Sequence, residues 1–192
     1  MTAAAASPPQ VGRLLVVSGP SGVGKSAVVE RLLQDPRFGR AITATTRAPR
    51  PGERDGVDYL FLAEDDFSRR LAAGWFLESA TVYGRLYGTP RSTVDEVLAT
   101  GRHCVLVIDT QGAATIRRSG VPAVYVFLLP PSWEELVRRL TSRGGDTPES
   151  QARRVAEAHR EMAEASHFDV RLVNDRLEDT VRAVAAAAAG GA

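Results

Sequence analysis

The sequence predicts an α/β fold in which a parallel β-sheet is covered by helices on both faces. Short apolar runs, typical of buried strands, alternate along the chain with segments in which apolar residues recur at helical spacing. A glycine-rich loop also lies between the first apolar run and the first helical segment. Buried strands joined by helices form parallel sheets, and ligands bind such sheets at the carboxyl ends of the strands.

Length and composition indicate one globular core. The chain has 192 residues, of which 44% are hydrophobic, and its formal net charge is +1. This charge produces no overall field that favours nucleic acid or an anionic membrane, so we expect neither as a partner. The sequence also lacks the run of about 18 apolar residues that a membrane span needs. We therefore expect a soluble, cytoplasmic protein, and the sequence leaves open whether it is a monomer or a homo-oligomer.

Three minor features concern the N-terminus, the cysteine and the histidines. Residues 1–10 are rich in Ala, Ser and Pro and predict a disordered N-terminal tail. The single cysteine, Cys104, lies in an apolar run and is expected to be a buried structural thiol, which excludes an internal disulfide. The histidines do not have the spacing of metal ligands; they are His103, His159 and His167.

The first helical segment follows the loop G-P-S-G-V-G-K-S at residues 19–26, which we call the P-loop because it matches G-x-x-x-x-G-K-[ST]. Its glycines let backbone N–H groups approach an anion, and the start of the helix adds unpaired donors. Lys25 is expected to contact the β- and γ-phosphates of a nucleotide, and the Ser26 hydroxyl to ligate Mg²⁺. The predicted ATP-binding residues of this loop are Gly19, Pro20, Ser21, Gly22, Val23, Gly24, Lys25 and Ser26.

Lys25 is the only lysine among the 24 basic residues, and every other basic residue is arginine. A compact ammonium on a flexible stem cannot be replaced by a wide planar guanidinium in a tight loop. The presence of lysine at this one position therefore favours a phosphate-binding loop over a chance glycine-rich turn.

In the first half of the chain, local patterns predict a small lobe beside the main sheet. A first strand is predicted at residues 14–17, and a helix after the P-loop ends near Pro36. The elements predicted next are a strand at 41–45, a surface loop at 46–58, a strand at 59–62, a helix at 64–73 and a hairpin with strands at 75–82 and 85–88. Phe67 and Leu71 are expected to point inward from that helix. Residues 47–90 are therefore predicted to form a mixed lobe inserted into the main sheet.

From residue 91 the alternation of helices and buried strands resumes. It predicts helices at 91–100 and 111–118, and strands at 104–108, 123–129 and 170–173. Ser132 is expected to open a capping box, and Thr147, followed by proline, to start a helix that ends near residue 165. Asn174 or Asp175 is expected to cap the C-terminal helix.

Arg47 and Arg50 lie three residues apart at 46–53, a proline-rich segment that we call the arginine loop. Two guanidinium groups at this spacing could bind one phosphate. From this segment alone, a solvated, charged turn is an equally good interpretation.

The order of the motifs along the chain resembles guanylate kinases. After the P-loop come T-T-R-A-P-R-P-G-E at 45–53, D-Y at 58–59, F-L-E at 76–78, Y-G-T-P at 87–90, I-D-T-Q-G at 108–112, P-P-S at 130–132 and N-D at 174–175. The resemblance extends from about residue 14 to residue 184. It implies a P-loop kinase core at 11–46 and 91–192 with a lid at about 140–156, and a GMP-binding lobe at 47–90. The implied activity is Mg²⁺-dependent transfer of the γ-phosphoryl group of ATP to GMP, in purine nucleotide metabolism.

The resemblance implies a role for each matching residue. Glu78 would accept hydrogen bonds from guanine N1–H and the exocyclic amine, whereas adenine has an acceptor at N1. Arg143 and Arg154 match lid arginines that close on the ATP phosphates, and the implied catalytic residues are Lys25, Arg50, Arg143 and Arg154. Asn174 and Asp175 match a segment that borders the adenine. The implied GMP-binding residues are Thr43, Arg47, Arg50, Glu53, Tyr59, Glu78, Tyr87, Thr89 and Asp109.

The sequence departs from the family pattern at three positions. Thr43 replaces the usual serine, Ala27 replaces a threonine, and Val107 replaces an aspartate two residues before Asp109. The valine puts in doubt the charge role that the aspartate would have near the phosphates.

The alternatives to the kinase are an inactive binding module and a P-loop GTPase or motor ATPase. A catalytically inactive guanylate-kinase-like binding module usually has a degraded P-loop, whereas this P-loop is intact. A P-loop GTPase needs an N-K-x-D motif and hence a second lysine, which this chain does not have.

Overall fold

The computed structural model describes residues 12–82, 84–142 and 147–190. The strands are β1 (Leu14–Ser18), β2 (Phe38–Arg40), β3 (Ala44–Thr45), β4 (Leu60–Phe61), β5 (Phe76–Val82), β6 (Arg85–Pro90), β7 (His103–Val107), β8 (Ala123–Leu129) and β9 (Val170–Val173). The helices are α1 (Lys25–Leu32), α2 (Glu64–Ala72), α3 (Arg91–Ala99), α4 (Thr110–Arg118), α5 (Trp133–Thr141), α6 (Pro148–Ala163) and α7 (Leu177–Ala189). The predicted tail at 1–10 and Arg143 lie outside the described residues.

The central sheet has five strands in the order β2-β7-β1-β8-β9, and all of its pairings are parallel. Successive residues of β1 point to opposite faces, so that Leu14 and Val16 join one core cluster and Leu15 and Val17 join another. Helices α3 and α4 cover the first face, and α1 and α7 cover the second. The predicted α/β fold with a parallel sheet covered on both faces is confirmed.

A second sheet of four strands, in the order β4-β3-β6-β5, stands beside the first. It is mixed, because β3 pairs in parallel with β4 and antiparallel with β6, and β5 and β6 form the predicted hairpin. Helix α2 closes its apolar side with Phe67, whose ring stacks on that of Phe76 with 4.4 Å between centroids. The small cluster around these rings is separate from the two central clusters.

Two predictions in this region are wrong. The strand predicted at 41–45 forms only at its end, as β3 (Ala44–Thr45), which belongs to the second sheet. The strand that pairs with β7 in the central sheet, β2 (Phe38–Arg40), lies just before that range and was not predicted. The chain therefore crosses from the central sheet to the second sheet at residues 41–43. Leu71 does not point inward: it is 47% exposed, because Phe67 alone provides the buried contact of the short helix α2.

The helix starts are partly as predicted. The Ser132 hydroxyl accepts from the Glu135 N–H at 3.1 Å and the Thr147 hydroxyl from the Ser150 N–H at 3.3 Å, so both caps are confirmed. Helix α7 begins after Arg176 with no side-chain cap, so the prediction that Asn174 or Asp175 caps it is wrong. Among the described residues, no helix combines the length and apolar character that crossing a bilayer requires.

Candidate active site

A cleft of about 670 Å³ separates the carboxyl ends of the central strands from the second sheet. Its walls are the P-loop, the segment after β7, the face of the second sheet and one face of α6. Many of the predicted site residues line it together, namely Ser21, Lys25, Ser26, Thr43, Arg50, Glu53, Tyr59, Glu78, Tyr87 and Asp109. Residues far apart in sequence are thus brought to the sheet edge where α/β folds bind ligands.

The P-loop is held in shape by its own hydrogen bonds. The Val23 N–H donates to the Pro20 carbonyl at 3.2 Å, which forms a tight turn inside the loop. Gly24 follows with φ of 101°, a left-handed conformation that glycine adopts without strain, and serves as the N-cap of α1. Helix α1 then begins at Lys25, so its unpaired N–H donors face the loop.

Lys25 is folded back onto the loop. Its ammonium donates to the carbonyls of Gly19 and Pro20, the latter at 3.1 Å. Burial lowers the pKa of this amine, and the nearby carboxylates of Glu161 and Asp109 oppose the shift. The loop carbonyls therefore hold the ammonium at the mouth of the site, where the oxygens of a phosphate could replace them.

Helix α6 brings a carboxylate to the P-loop that the sequence did not predict. The Ser21 N–H donates to Glu161 Oε2 at 3.3 Å, and burial raises the pKa of this carboxyl group. Arg153, Glu157 and Arg160 from the same helix also line the cleft. In sequence these residues look like any solvated helix face, because their charges alternate in sign at helical spacing. Only the packing of α6 across the P-loop distinguishes them.

Glu53 organises the arginine loop. Its carboxylate accepts two hydrogen bonds from the Arg47 guanidinium, at 3.0 and 2.9 Å, and one from the Arg50 N–H at 2.7 Å. The ion pair raises the pKa of Arg47 and lowers that of Glu53. Arg50 itself is exposed and lines the cleft. Glu53 thus contacts both arginine positions directly.

Aromatic rings support the same loop from the second sheet. The Arg47 Nε donates to the Tyr87 hydroxyl at 3.3 Å, and its guanidinium lies 5.3 Å from the centre of the Tyr59 ring. Arg40, at the end of β2, lies 5.9 Å from that ring and also lines the cleft. Sequence reasoning missed Arg40, because it belongs to no motif.

Glu78 lies at the other end of the second sheet, only 4% exposed. Its Oε1 accepts from the Thr89 hydroxyl at 2.6 Å. Burial raises the pKa of Glu78 to about 7, and the charge of Asp109 adds to the shift while the Thr89 hydrogen bond opposes it. Its Oε2 lies against Gly112, where a Cβ atom would approach to 2.7 Å. A buried carboxylate with one oxygen facing a cleft is suited to a ligand with adjacent N–H donors.

Asp109 closes the site at the end of β7. Its carboxylate caps α4 by accepting from the Gly112 N–H at 2.8 Å, and burial raises its pKa. Val107 also lines the cleft and is packed against the central core. The position at which the resemblance implies an aspartate therefore presents a methyl-bearing side chain to the cleft.

Other predicted residues lie outside the cleft lining. Asn174 is buried and donates from Nδ2 to the Val23 carbonyl at 2.8 Å, whereas Asp175 is exposed. Arg154 is half-buried on α6, where its neighbour Arg153 lines the cleft instead. Arg143 falls outside the described residues, and Thr89 reaches the cleft only through Glu78.

Comparisons with known proteins agree with this geometry. A family model described as guanylate kinase matches residues 11–189. The chain is 46% identical over 177 residues to guanylate kinase of Thermosynechococcus vestitus, covering 92% of this chain and 93% of that protein. It is 51% identical over 171 residues to guanylate kinase of Streptomyces kasugaensis, covering 88% and 83%.

A solved structure gives the same result. The crystal structure of guanylate kinase from Anaplasma phagocytophilum superposes with a TM-score of 0.75 at 33% identity, covering 92% of this chain and 84% of that one. The motif order, the fold and the cleft therefore all have the same explanation, which is that this chain belongs to the guanylate kinase family.

Proposed function

We propose that the protein transfers the γ-phosphoryl group of ATP to GMP, giving ADP and GDP. The observation that supports this most strongly is that one cleft joins the P-loop lysine to a buried carboxylate and an arginine loop. A triphosphate and a nucleoside monophosphate could thus meet within a single cleft. Since ATP and GMP are held inside cells, we place the reaction in the cytoplasm.

The P-loop side of the cleft would bind ATP, the phosphoryl donor. The backbone N–H groups of the P-loop and the start of α1 would surround the β-phosphate, and Lys25 would leave the Gly19 and Pro20 carbonyls to contact the β- and γ-phosphates. Asn174 and Asp175 would lie near the adenine, and Arg154 with Arg143 would approach the phosphates when the lid closes. This closure would exclude water from the reacting groups.

The side of the cleft formed by the second sheet would bind GMP, the phosphoryl acceptor. Arg47, Arg50, Tyr59 and Tyr87 would hold the GMP phosphate, with Glu53 keeping Arg47 in place. Glu78 would accept from the guanine N1–H and amine, while Thr43 and Thr89 would face the O6/N7 edge and Asp109 would border the nucleotide. Because adenine has no N–H at N1, the same carboxylate would reject AMP.

The chemistry needs little beyond positioning and charge neutralisation. The second pKa of a phosphate monoester is about 6, so GMP is largely dianionic and nucleophilic at neutral pH without a general base. Lys25 and the arginines would neutralise charge that spreads over the transferred phosphoryl oxygens. Mg²⁺ fits the donor set, because Ser26 places a hydroxyl in the cleft and this ion is usually held by few protein groups plus the phosphates. When bound, it would supply further neutralisation.

A coupled assay of ADP formation tests the proposal. ATP with GMP should give turnover, whereas ATP with AMP, CMP or UMP should give far less. Lys25→Ala should lower kcat by about a thousandfold or more while leaving the circular dichroism spectrum unchanged. Arg182→Ala, on the exposed face of α7, is the matched control and should retain full activity. GMP binding without any turnover would instead support the inactive binding module.

A further inference from the structure

We infer that Asn174 is a positioning residue for the P-loop, where its side-chain amide holds the Val23–Gly24 peptide with the Gly24 N–H directed toward the phosphate site. This inference rests on the proposed function only for the identity of the bound phosphate. It assigns to Asn174 a task distinct from bordering the adenine.

The contact is short, buried and fixed from both sides. Asn174 is 8% exposed, and its Nδ2 donates to the Val23 carbonyl at 2.8 Å. Its own backbone N–H donates to the Leu129 carbonyl at 2.8 Å, which anchors the residue at the end of β9 beside β8. The side-chain nitrogen lies so close to Gly24 that a Cβ atom there would approach to 2.6 Å. Asn174 therefore packs directly on the peptide that it binds.

Peptide geometry makes this contact directional. In a planar trans peptide the C=O and N–H bonds point in opposite directions. Because Asn174 holds the Val23 carbonyl on the outside of the loop, the Gly24 N–H must point to the inside. Rotation of this peptide would instead direct a carbonyl oxygen, which repels phosphate, into the site.

The loop itself offers little resistance to such a rotation. Rotation of the Val23–Gly24 peptide changes ψ of Val23 and φ of Gly24. Gly24 has φ of 101°, and glycine changes between φ/ψ regions without the steric cost that other residues meet. The internal hydrogen bond from the Val23 N–H to Pro20 restrains the peptide before Val23, not the one after it. An external donor is therefore needed, and the amide of Asn174 supplies it.

Position 174 needs a side chain that can donate a hydrogen bond to the Val23 carbonyl. A buried carbonyl needs a donor, so the amide nitrogen is the only heavy atom of the Asn174 side chain that can serve. An aspartate would place an acceptor against an acceptor and would also add negative charge next to an anion site. Asn174→Asp is thus expected to be more harmful than Asn174→Ala, although it preserves the shape of the side chain.

Steady-state kinetics and amide NMR test the inference. Asn174→Ala should raise KM for ATP about tenfold and lower kcat, while the dissociation constant for GMP stays unchanged. In ¹⁵N spectra the Gly24 amide should shift on addition of ADP in the native protein and lose most of that shift in Asn174→Ala. Thr180→Val is the matched control, because it removes another buried side-chain donor from the same corner of the fold. It should lower the melting temperature without changing KM for ATP.

The outcomes separate three explanations. If Asn174→Ala melts earlier but keeps the native KM for ATP and the native Gly24 shift, the contact is purely structural and the inference is wrong. Equal weakening of ATP and GMP binding would also overturn it, since that would indicate general loosening. If the substitution prevents folding, Asn174→Ser, which retains a donor, should show an intermediate effect. Should the native protein lack ATP:GMP turnover, the proposed function fails, but the Gly24 response to ADP still tests Asn174.

Discussion

At the scale of single residues, burial favours the protonated form of Glu78, whereas the proposed contact with guanine needs the charged form. Its pKa of about 7 means that much of it is protonated near neutral pH, whereas the guanine N–H donors require the carboxylate. In the proposed role the deprotonated form of Glu78 would bind GMP and the protonated form would not, so GMP affinity should fall as pH drops through 7. Between pH 8 and pH 6 the fall should be about tenfold, measurable by calorimetry.

The phosphate of GMP also titrates near pH 6 and needs its own control. Glu78→Gln removes the titrating group and should leave only the phosphate contribution, with GMP bound about tenfold to a hundredfold more weakly at pH 8. A pH profile of GMP affinity identical in both proteins would mean that Glu78 does not recognise the base.

Gly112 is expected to set the depth of the guanine site. A methyl group there would lie 2.7 Å from Glu78 Oε2, so Gly112→Ala should push the carboxylate outward and raise KM for GMP about tenfold. The KM for ATP should be unaffected. Alanine favours a helix over glycine, so the folded state should not be destabilised by backbone propensity.

A second substitution sharpens this test. Glu78→Asp in the Gly112→Ala background shortens the side chain and makes room for the new methyl group. The two changes together should therefore weaken GMP binding by less than the sum of their separate effects, as neighbours in contact do. Strict additivity would argue against contact between the two residues.

Residues that carry a motif could be located from sequence, and others could not. The P-loop was predicted because its residue types and spacing imply a phosphate ligand, whereas the roles of Glu78 and of the arginine loop were implied by the resemblance in motif order. The structure places residues of all three in one cleft. Arg40 and Glu161 were missed, because an arginine at a strand end and a glutamate on a charged helix are ordinary in sequence. Their position depends on packing between distant segments.

At the scale of elements, α6 contacts the P-loop through Glu161. The Glu161 carboxylate accepts a hydrogen bond from the Ser21 N–H and lies near Lys25, and a bound phosphate would contact both of these groups. Glu161→Gln removes this negative charge and should tighten ADP binding severalfold, as measured by calorimetry. Glu164→Gln, which changes a carboxylate paired with His167 just after α6, is the control and should have no effect. Weaker ADP binding in Glu161→Gln would show that the carboxylate supports the nucleotide instead.

The elements that sequence misplaced are those whose ends depend on tertiary contacts. The strand predicted at 41–45 is limited to β3, which pairs with β6, because residues 41–43 connect it to β2, which pairs with β7 in the other sheet. Asn174 was predicted as a helix cap because asparagine favours that role, but α7 begins only after Arg176, and the Asn174 amide nitrogen donates to the Val23 carbonyl. Local propensity indicated correctly that Asn174 makes a side-chain hydrogen bond to the backbone, but it indicated the wrong backbone group.

At the scale of the whole molecule, the open cleft between the two sheets implies closure on binding. In the proposed function, GMP would bridge the arginine loop and Glu78 on the side of the second sheet, whereas ATP would bind at the P-loop on the side of the central sheet. We expect the two nucleotides together to shorten the distance between a spin label at Arg69→Cys on α2 and one at Arg182→Cys on α7. Arg37 and Arg182 are both exposed on elements around the central sheet, so the distance between labels at Arg37→Cys and Arg182→Cys should not change. An unchanged distance in the first pair with both nucleotides bound would contradict closure.

The native cysteine does not interfere with this measurement. Cys104 is fully buried, and burial raises the pKa of its thiol to about 12, so the reactive thiolate is absent at neutral pH. Only the introduced cysteines should take the label.

Local sequence patterns predicted a parallel sheet and a hairpin of the second sheet, and the structure shows both. The width of the cleft could not be predicted, because it depends on how the two sheets pack.

The solitary lysine has a practical consequence. Apart from the chain terminus, Lys25 carries the only primary amine, and its lowered pKa leaves more of it unprotonated than an ordinary lysine. Acylating esters therefore have one side chain to modify, and it is the one that a triphosphate would cover. The mass of a single proteolytic fragment would then report the occupancy of the donor pocket without any engineered probe.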